Sequence, residues 1–310
     1  MQFNEYLKIC RAHNNLTQEE LVHALYSFDI DNFQGLDTTT LSKWERAITQ
    51  PRLIKKVNIV KYFQTLNNMP FPCYEEKNED EIEEELCTIG MKNILTESKS
   101  KKLILDFPSS SMSLDEFKIY QLKSTELVDK VVKINTYLDK DFNQDLSQLK
   151  DEDFKKWALM PANFFLICQY ADEVTGLLFT LKLKPNSFDK LCNGKIMEKD
   201  LKEKDFAEPN EVGCNYVISF FALNQKAASM LFTRYYAYLI SRQKHTKEVG
   251  VSTMMDDGEK IIKALNIPFY NSYLLKGNIE LKFFKSSLFS FLATQEVIKL
   301  LFTKLECEEE

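Results

Sequence analysis

Apolar residues recur at helical spacing in the first part of the chain. One face is formed by Phe3, Leu7 and Cys10, and a later face includes Val57 and Val60, which is the spacing of residues on one side of a helix. Two prolines within three positions then end the pattern, because proline has no amide hydrogen to donate and its ring clashes with the preceding turn. The sequence therefore predicts an all-α N-terminal bundle that ends near residue 67.

After residue 113 the pattern changes to alternating strands and helices. The stretch CNYVISFFAL at 214–223 is almost uninterruptedly apolar, as in a strand that is covered on both faces. A Gly-Asn pair between two short apolar runs is a hairpin signal. This order predicts a mixed α/β domain over 113–310 with a C-terminal helix. The predicted strands are 117–122, 163–170, 177–183, 214–223, 249–254, 273–275 and 279–284, and the predicted helices are 125–138, 145–157, 226–242 and 258–265.

Between these two parts lies a segment with prolines and many acids. NNMPFP at 67–72 breaks the helix, and EEKNEDEIEEEL at 75–86 contains eight acidic residues and one lysine. Such a charge run is typical of a solvated linker or of the exposed face of a helix. An acidic strip that competes with DNA for a basic surface is the alternative. The predicted division is a helical domain at 1–67, a linker at 68–112 and an α/β domain at 113–310.

Composition and charge narrow the class of protein. The chain has 310 residues, of which 44% are hydrophobic and 12% aromatic, which is enough for two or three packed domains. A net charge of −6 argues against indiscriminate coating of nucleic acid but leaves a local basic face open. The seven cysteines include no CxxC pair, so neither a zinc ribbon nor a thioredoxin-like site is indicated. We expect reduced thiols that pack in cores.

Targeting and metal signals are missing from the sequence. The opening stretch MQFNEYLKIC has no basic-then-apolar signal, and no long uncharged apolar run follows. A soluble, cytoplasmic protein without a membrane partner is therefore expected. His13 and His23 have no accompanying ligands close in sequence, so no metal site is expected.

Two short helices near the start carry matching end signals. Thr17 with Glu20 forms a capping box, and Asp37 can cap the second helix, because each side chain can accept a hydrogen bond from a free amide of the first turn. Leucines flank both caps at the positions of a hydrophobic staple. Each signal alone is common in helical proteins.

Together with their flanking residues, these helices resemble a known DNA-binding motif. LTQEEL at 16–21 and LSKWER at 41–46, followed by Pro51, resemble the helix-turn-helix of the lambda-repressor/Cro class, also called the xenobiotic-response-element (XRE) family. The resemblance covers the first 66 residues and implies that the second helix enters the major groove of DNA. One departure is that Thr17 and Asp37 are 20 positions apart, more than the family usually has. A long turn or a lengthened first helix is therefore expected between them.

Positive charge is concentrated in the same region. Over 37–66 there are six lysines or arginines and two acids, a local charge of +4, which favours contact with phosphates. By the resemblance, Thr38, Thr39 and Lys43 would read base edges, since hydroxyl and ammonium groups can bond to bases in the major groove. The residues expected to contact backbone phosphates are Gln18, Arg46, Thr49 and Arg52.

The order of strands and helices from 113 to 292 resembles the GNAT N-acetyltransferase superfamily. The resemblance implies that the strand before the main helix separates from its neighbour and that acyl-CoA lies in the cleft. The family's Gln/Arg-x-x-Gly-x-Gly/Ala loop presents backbone amides to the pyrophosphate. Gln225 matches this loop, but Ala228 and Met230 depart from it. Gln225 and Ala228 are thus the candidate cofactor-binding residues, acyl-CoA is the candidate cofactor, and loss of ordinary acetyl transfer is expected.

Few other residues suggest catalysis. The family often has a tyrosine general acid in its last helix, where this chain has Ile262. Tyr270 and Tyr273 are close by in sequence. Either could replace the missing general acid, or both could have only loop or core roles. Asp256 and Asp257 precede a helix, where acids stabilise the dipole, so a capping role is expected. No Walker loop, GxSxG, HExxH or GxGxxG motif occurs, and no catalytic residue is assigned.

These patterns predict a sequence-specific DNA-binding transcriptional regulator, and they leave open whether it is also an enzyme. Its GNAT-like domain would sense a small-molecule ligand or mediate dimerisation. The expected partners are a double-stranded DNA operator and a second copy of the chain, because twofold half-sites add affinity. Two alternatives stay open: an active acyl-CoA-dependent N-acyltransferase fused to a DNA-binding domain, and a protein-binding, antitoxin-like adaptor.

Overall fold

The structure, a computed structural model, describes residues 1–105, 116–122, 151–275 and 278–302. The predicted helix at 125–138 and the first part of the predicted helix at 145–157 lie outside these ranges. The helices are α1 Phe3–His13, α2 Gln18–Phe28, α3 Ile30–Phe33, α4 Thr38–Glu45, α5 Leu53–Asn67, α6 Glu79–Glu83, α7 Thr88–Glu97, α8 Asp151–Ala158, α9 Pro185–Cys192, α10 Gln225–Ser241, α11 Asp256–Ala264, α12 Leu288–Leu292 and α13 Gln295–Phe302. The strands are β1 Phe117–Gln121, β2 Phe164–Tyr170, β3 Glu173–Leu183, β4 Gly213–Ala222, β5 Thr246–Thr253, β6 Phe269–Leu274 and β7 Glu280–Ser287.

The chain forms two compact units, and one of them is discontinuous in sequence. A helical unit combines Met1–Gly90 with Thr233–Gln243 and with the chain from Leu288 onward, whereas a sheet unit combines Met91–Phe232 with Lys244–Ser287. The division predicted from the sequence, into three consecutive segments with boundaries after residues 67 and 112, stays a prediction.

The end signals of α2 and α4 are confirmed. Thr17 Oγ1 accepts a hydrogen bond from the amide of Glu20, and the amide of Thr17 donates one to Glu20 Oε2. Asp37 Oδ1 accepts from the amide of Thr40 at 2.6 Å. The caps form because a helix leaves its first amides without partners in the helix itself.

The extra residues between these two caps form a helix rather than a single long turn. α2 extends to Phe28, and α3 follows at once. Asp29 follows the end of α2 and caps α3, since its carboxylate accepts a hydrogen bond from the amide of Asn32. The same carboxylate also accepts one from Asn58 Nδ2 on α5. The motif expected from the sequence therefore contains an additional helix, and its assignment as a DNA-binding helix-turn-helix stays a prediction.

The core of the helical unit is strongly aromatic. Tyr6 of α1 contacts Phe63 of α5 and Phe71, with ring centroids 6.2 Å apart in both pairs. Phe302 of α13 contacts Tyr6 and Phe3 at 5.3 and 5.2 Å. All five side chains are buried, and edge-on aromatic contacts of this kind add to the free energy of burying apolar area.

One buried carboxylate joins three helices of this unit. Glu45 of α4 is 4% exposed and accepts hydrogen bonds from Arg11 Nε of α1 at 2.5 Å and from Gln18 Nε2 of α2 at 2.7 Å. A buried charge is stable only when it is paired and hydrogen-bonded, so α1, α2 and α4 are held to one geometry here.

The sheet unit contains a seven-stranded sheet in the order β1-β2-β3-β4-β5-β7-β6. Only β4 and β5 pair in parallel among these neighbours, and α10 connects them, as a parallel pair requires a crossover. β2 and β3 form a tight hairpin at Ala171 and Asp172, which both have positive φ, as a two-residue type I′ turn demands.

Helices α8 and α9 cover one face of this sheet. Phe154 and Trp157 of α8 and Phe188 of α9 share a buried cluster with the stacked rings of Phe165 and Phe179, whose centroids lie 4.4 Å apart. The sequence analysis missed α9, although proline at its first position is a start signal. Phe188 can approach β5 closely because position 250 is glycine, where a Cβ would lie 2.6 Å from the ring.

Most predicted strands are present, with shifted ends. β5 begins at Thr246 rather than 249, and β7 extends to Ser287 rather than 284, with α12 beginning at Leu288. The cysteines at 10, 73, 168, 192 and 214 are free thiols, whereas Cys87 is disulfide-bonded, contrary to the expectation of reduced thiols throughout. None of the helices in the described ranges combines the length and apolar character needed to span a bilayer.

We expect Glu45→Ala to loosen the helical unit. The change leaves the Arg11 guanidinium without its carboxylate, and an unpaired, partly buried charged group costs about 1–3 kcal/mol. Hydrogen exchange of α1 and α4 amides should accelerate about tenfold or more. Glu19→Ala, at an exposed position of α2, is the matched control, and equal protection in both variants would contradict the proposed role of Glu45.

Candidate functional site

Strands β4 and β5 pair for only part of their length. Their parallel register runs from Gly213↔Thr246 to Val217↔Val251, yet β4 continues to Ala222 and β5 to Thr253. The ends of the two strands therefore separate. The side chains there are half-buried rather than buried, namely Val217, Ile218, Ser219, Phe220, Val251, Ser252 and Thr253.

A bulge in β4 lies at the point of separation. On its other edge β4 pairs with β3, and the register shifts between Phe179↔Ser219 and Thr180↔Val217, which leaves Ile218 as an extra residue in β4. An extra residue bends a strand and increases its twist. The bulge thus turns β4 away from β5 immediately after Val217.

Another part of the chain lies between the separated ends. The amide of Ala222 donates to the carbonyl of Leu103, and the amide of Leu105 donates to the carbonyl of Ala222, both at 2.9 Å. Since Ala222 also pairs with Gly176 of β3, these bonds must use the edge of β4 that faces β5. We call residues 100–105 the strap.

A carboxylate at the end of β5 holds the strap. Asp257, in the first turn of α11, accepts hydrogen bonds from the hydroxyl of Ser100 and from the amides of Lys101, Lys102 and Leu103. Asp257 is 6% exposed. The helix cap expected from the sequence is wrong for this residue, because its carboxylate faces the strap and the N-cap position is Met255.

A polar cluster lies on the α9 side of the sheet where the strands begin to separate. Tyr216 of β4 is fully buried, and its hydroxyl lies 2.5 Å from Glu198 Oε1 and 2.7 Å from Ser252 Oγ of β5. Ser252 Oγ lies 3.3 Å from the same carboxylate oxygen. Glu198, in the 3-10 helix Glu198–Asp200, is half-buried. We call Glu198, Tyr216 and Ser252 the carboxylate cluster.

The electrostatics of this cluster favour Glu198 as its proton acceptor. Burial, followed by the charge of Glu198, raises the pKa of Tyr216 well above its ordinary value, so the tyrosine stays protonated and acts as a donor. Burial raises the pKa of the nearby Cys192 thiol to about 12, which removes it as a nucleophile, since only the thiolate attacks. Of the tyrosines named from the sequence, Tyr270 is exposed. Tyr273 stacks on Phe283 and borders the cluster, because its hydroxyl lies 3.8 Å from Met197 Sδ, and burial followed by the charge of Glu198 raises its pKa.

The first turn of α10 contains the two candidate cofactor-binding residues. Asn224 caps this helix by accepting from the amide of Ala227, and the amide of Ala228 donates to the carbonyl of Asn224. The methyl of Ala228 is fully buried, so its amide is not presented to a phosphate. Gln225 Oε1 is buried and accepts no hydrogen bond from the described part of the chain.

Two features implied by the resemblance to acetyltransferases are thus present. The strand before the main helix separates from its parallel neighbour, and the described strands follow the expected order. The sheet unit is a mixed α/β fold with the strand order and the strand separation that this resemblance implies.

Comparisons with known proteins identify no relative by sequence. No protein-family model and no curated protein matches the chain. Solved structures similar to it include an N-acetyltransferase from Staphylococcus aureus, 10% identical with a TM-score of 0.37, where 56% of this chain and 97% of that chain are covered. The N-acyl amino acid synthase FeeM from uncultured soil microbes is 12% identical with a TM-score of 0.40, covering 56% and 92%.

A third similar structure is an aminoglycoside N(6′)-acetyltransferase from Legionella pneumophila. It is 11% identical with a TM-score of 0.36, and the similarity covers 59% of this chain and 97% of that chain. At such identities and TM-scores the chemistry of the sheet unit has to be argued from its own residues.

The residues named as DNA contacts lie in the helical unit, and all but one are exposed. Gln18 is the exception, because its side-chain amide donates to the buried Glu45. Arg46 Nε donates to the carbonyl of Ser42 at 3.3 Å, along its own helix. The exposed candidates on α4 and the loop after it are Thr38, Thr39, Lys43, Arg46, Thr49 and Arg52.

No group of three or more potential metal ligands occurs within the part of the chain that the structure describes. The sequence analysis missed Glu198, Tyr216, Ser252 and the role of Asp257. Glu198 belongs to a charged run that is typical of a loop. Tyr216 was the available signal, because a tyrosine inside an apolar strand needs a partner for its hydroxyl.

We expect the contribution of Asp257 to stability to depend on pH. Burial raises the pKa of Asp257, but the hydrogen bonds from Ser100 and the strap amides outweigh this and lower the pKa to about 2. A carboxyl whose pKa is lower in the folded state stabilises the fold above its unfolded value, ordinarily about 3.9. This contribution is lost as the pH falls from about 4 to about 2.

The measurement compares urea unfolding of the wild type and of Asp257→Asn from pH 7 to pH 2. The wild type should be more stable at pH 7, and the difference should shrink between pH 4 and pH 2 because only the wild type has this carboxylate to protonate. A difference that does not change over this range would contradict the assignment.

Proposed function

We propose that the sheet unit catalyses acyl transfer from an acyl-CoA to an amine. The observation that carries the proposal is the position of Glu198 beside the point where β4 and β5 separate, where its carboxylate lies within hydrogen-bonding distance of Tyr216 and Ser252. A cleft between strand ends can accept an extended thioester arm, and a half-exposed carboxylate next to it can accept a proton.

The edge of β4 offers backbone partners to such an arm. Register with β3 is continuous from Ser219 to Ala222, so the amide and carbonyl of Phe220 face the same edge as those of Ala222. Phe220 lies between the last paired residue, Val217, and the strap. An amide of the donor arm could pair with Phe220 as a neighbouring strand would.

Glu198 would act as the general base. Acyl-CoA supplies an activated acyl group as a thioester. The amine nitrogen forms a bond to the acyl carbon, the carbon–sulfur bond breaks, and the proton lost by nitrogen passes to Glu198 and then to the departing thiolate. Tyr216 and Ser252 are positioning residues that fix the orientation of the carboxylate, since their hydroxyls lie next to its Oε1.

This chain offers few backbone amides to the phosphate end of the donor. The amides of Ala227 and Ala228 are already bonded to Asn224, so the first turn of α10 has fewer amides for a pyrophosphate than the family's glycine loop. Gln225, with its buried amide oxygen, is the remaining candidate there. We therefore infer that recognition depends mainly on the acyl and pantetheine arm.

Calorimetry and turnover with acetyl-CoA and longer acyl-CoAs test this function. Saturable binding should be followed by acylation of an amine from a mixed panel, and an acyl-pantetheine should compete at a similar concentration. Glu198→Gln should lower kcat about 10²-fold or more, the usual contribution of a general base, with a smaller effect on KM for the donor.

Glu203→Gln is the matched control, because this glutamate is exposed in the next 3-10 helix and pairs only with Lys156 among described residues. It should keep full activity. The proposal fails if no acyl thioester binds, or if Glu198→Gln turns over as fast as the wild type.

A second function, binding of duplex DNA by the helical unit, is favoured by the exposed face of α4. Thr38, Thr39 and Lys43 share this helix, and Arg46 and Arg52 follow in the adjoining loop. Hydroxyls and cations on one helix fit base and phosphate contacts. A twofold operator read by a homodimer is the expected form.

Fluorescence anisotropy with selected duplexes tests this second function. Lys43→Ala with Arg46→Ala should weaken binding and make the slope of log affinity against log salt shallower, since each lost phosphate contact removes about one unit. Lys8→Ala, an exposed lysine of α1, should change neither. An affinity that changes neither with salt concentration nor in the Lys43→Ala, Arg46→Ala double variant would contradict DNA binding by this helix.

A further inference from the structure

The strap uses backbone groups that a ligand in the cleft would need. Ala222 is the last residue of β4, and both its amide and its carbonyl are bonded to the strap. Each backbone group of this kind must have a partner when it is buried. An extended chain that enters between β4 and β5 and passes the end of β4 meets these groups already occupied.

The strap also ties the two separated strands together. One of its contacts is with Ala222 at the end of β4, and the other is with Asp257, which follows β5 in the first turn of α11. Asp257 accepts from one hydroxyl and three amides of the strap. Hydrogen bonds to an ionised acceptor are stronger than neutral ones, so Asp257 is the main polar anchor.

Few side chains hold the strap in place. Ile104 is buried at 2% exposed, but Lys101 and Lys102 are exposed and Leu103 and Leu105 are half-buried. Attachment thus depends on backbone bonds to Ala222, on the buried Ile104, on Leu105, which packs against the core cluster of the sheet, and on one carboxylate. A segment with so few buried contacts can detach without unfolding the sheet.

We propose that the strap is an autoinhibitory segment that closes the cleft by adding to the edge of β4, and that an acyl donor binds only after the strap leaves Asp257. The inference rests on the proposed acyl transfer, whose site it regulates. The strap and the donor arm exclude each other, because an arm that pairs with Phe220 and runs on toward the first turn of α10 has to pass Ala222, whose backbone groups the strap occupies. Binding energy of the donor is spent partly on release of the strap, which lowers the observed affinity.

Asp257→Asn tests this inference, because the amide keeps the shape of the carboxylate and removes its charge. Hydrogen exchange of the strap amides in the ligand-free protein should become about tenfold faster, and acyl-CoA should bind about tenfold more tightly. Asp256→Asn is the matched control, since Asp256 is exposed and adjacent. Ser100→Ala, which removes one donor to Asp257, should shift both quantities in the same direction by a smaller factor.

The two measurements separate the possible failures. Faster strap exchange with tighter acyl-CoA binding supports the inference. Faster exchange with unchanged binding overturns autoinhibition and leaves the proposed acyl transfer standing. If a released strap, shown by exchange, still permits no acyl thioester to bind to either variant or wild type, both the inference and the proposed function are overturned.

Discussion

The backbone at the end of β4 imposes the constraint on which the site depends. A strand that leaves its neighbour exposes amides and carbonyls that need new partners, and β4 leaves β5 after Val217. The bulge at Ile218 causes the departure, and the crossover through α10 keeps the two strands parallel before it. The opening in the sheet, the strap and the position of the carboxylate cluster all follow from this separation.

The same separation assigns different tasks to the two strands. β4 supplies the open edge and the buried Tyr216, while β5 supplies Ser252 and leads into the helix that carries Asp257. Glu198 comes from the segment between β3 and β4, outside the sheet itself. This sheet thus brings together groups that are far apart in sequence, and neighbouring loops can change the chemistry without altering the strand order.

The sequence predicts the sheet better than the site. Long apolar runs predict strands such as β2 and β4, and local side chains predict the caps of α2 and α4. Both kinds of feature depend on residues that are neighbours in sequence. The contact between Ser100 and Asp257 spans 157 positions, and no local pattern marks it. Asp257 therefore suggests a helix cap from its sequence and anchors another segment in the structure.

The bonds to Asp257 constrain some positions far more than others. The strap donates main-chain amides at 101, 102 and 103 to this carboxylate, and every residue except proline carries such an amide. Substitutions of the lysines at 101 and 102 should consequently be tolerated during divergence. Position 257 has no such latitude, since aspartate alone combines that length with a negative charge, so related chains should vary along the strap while keeping its acidic anchor.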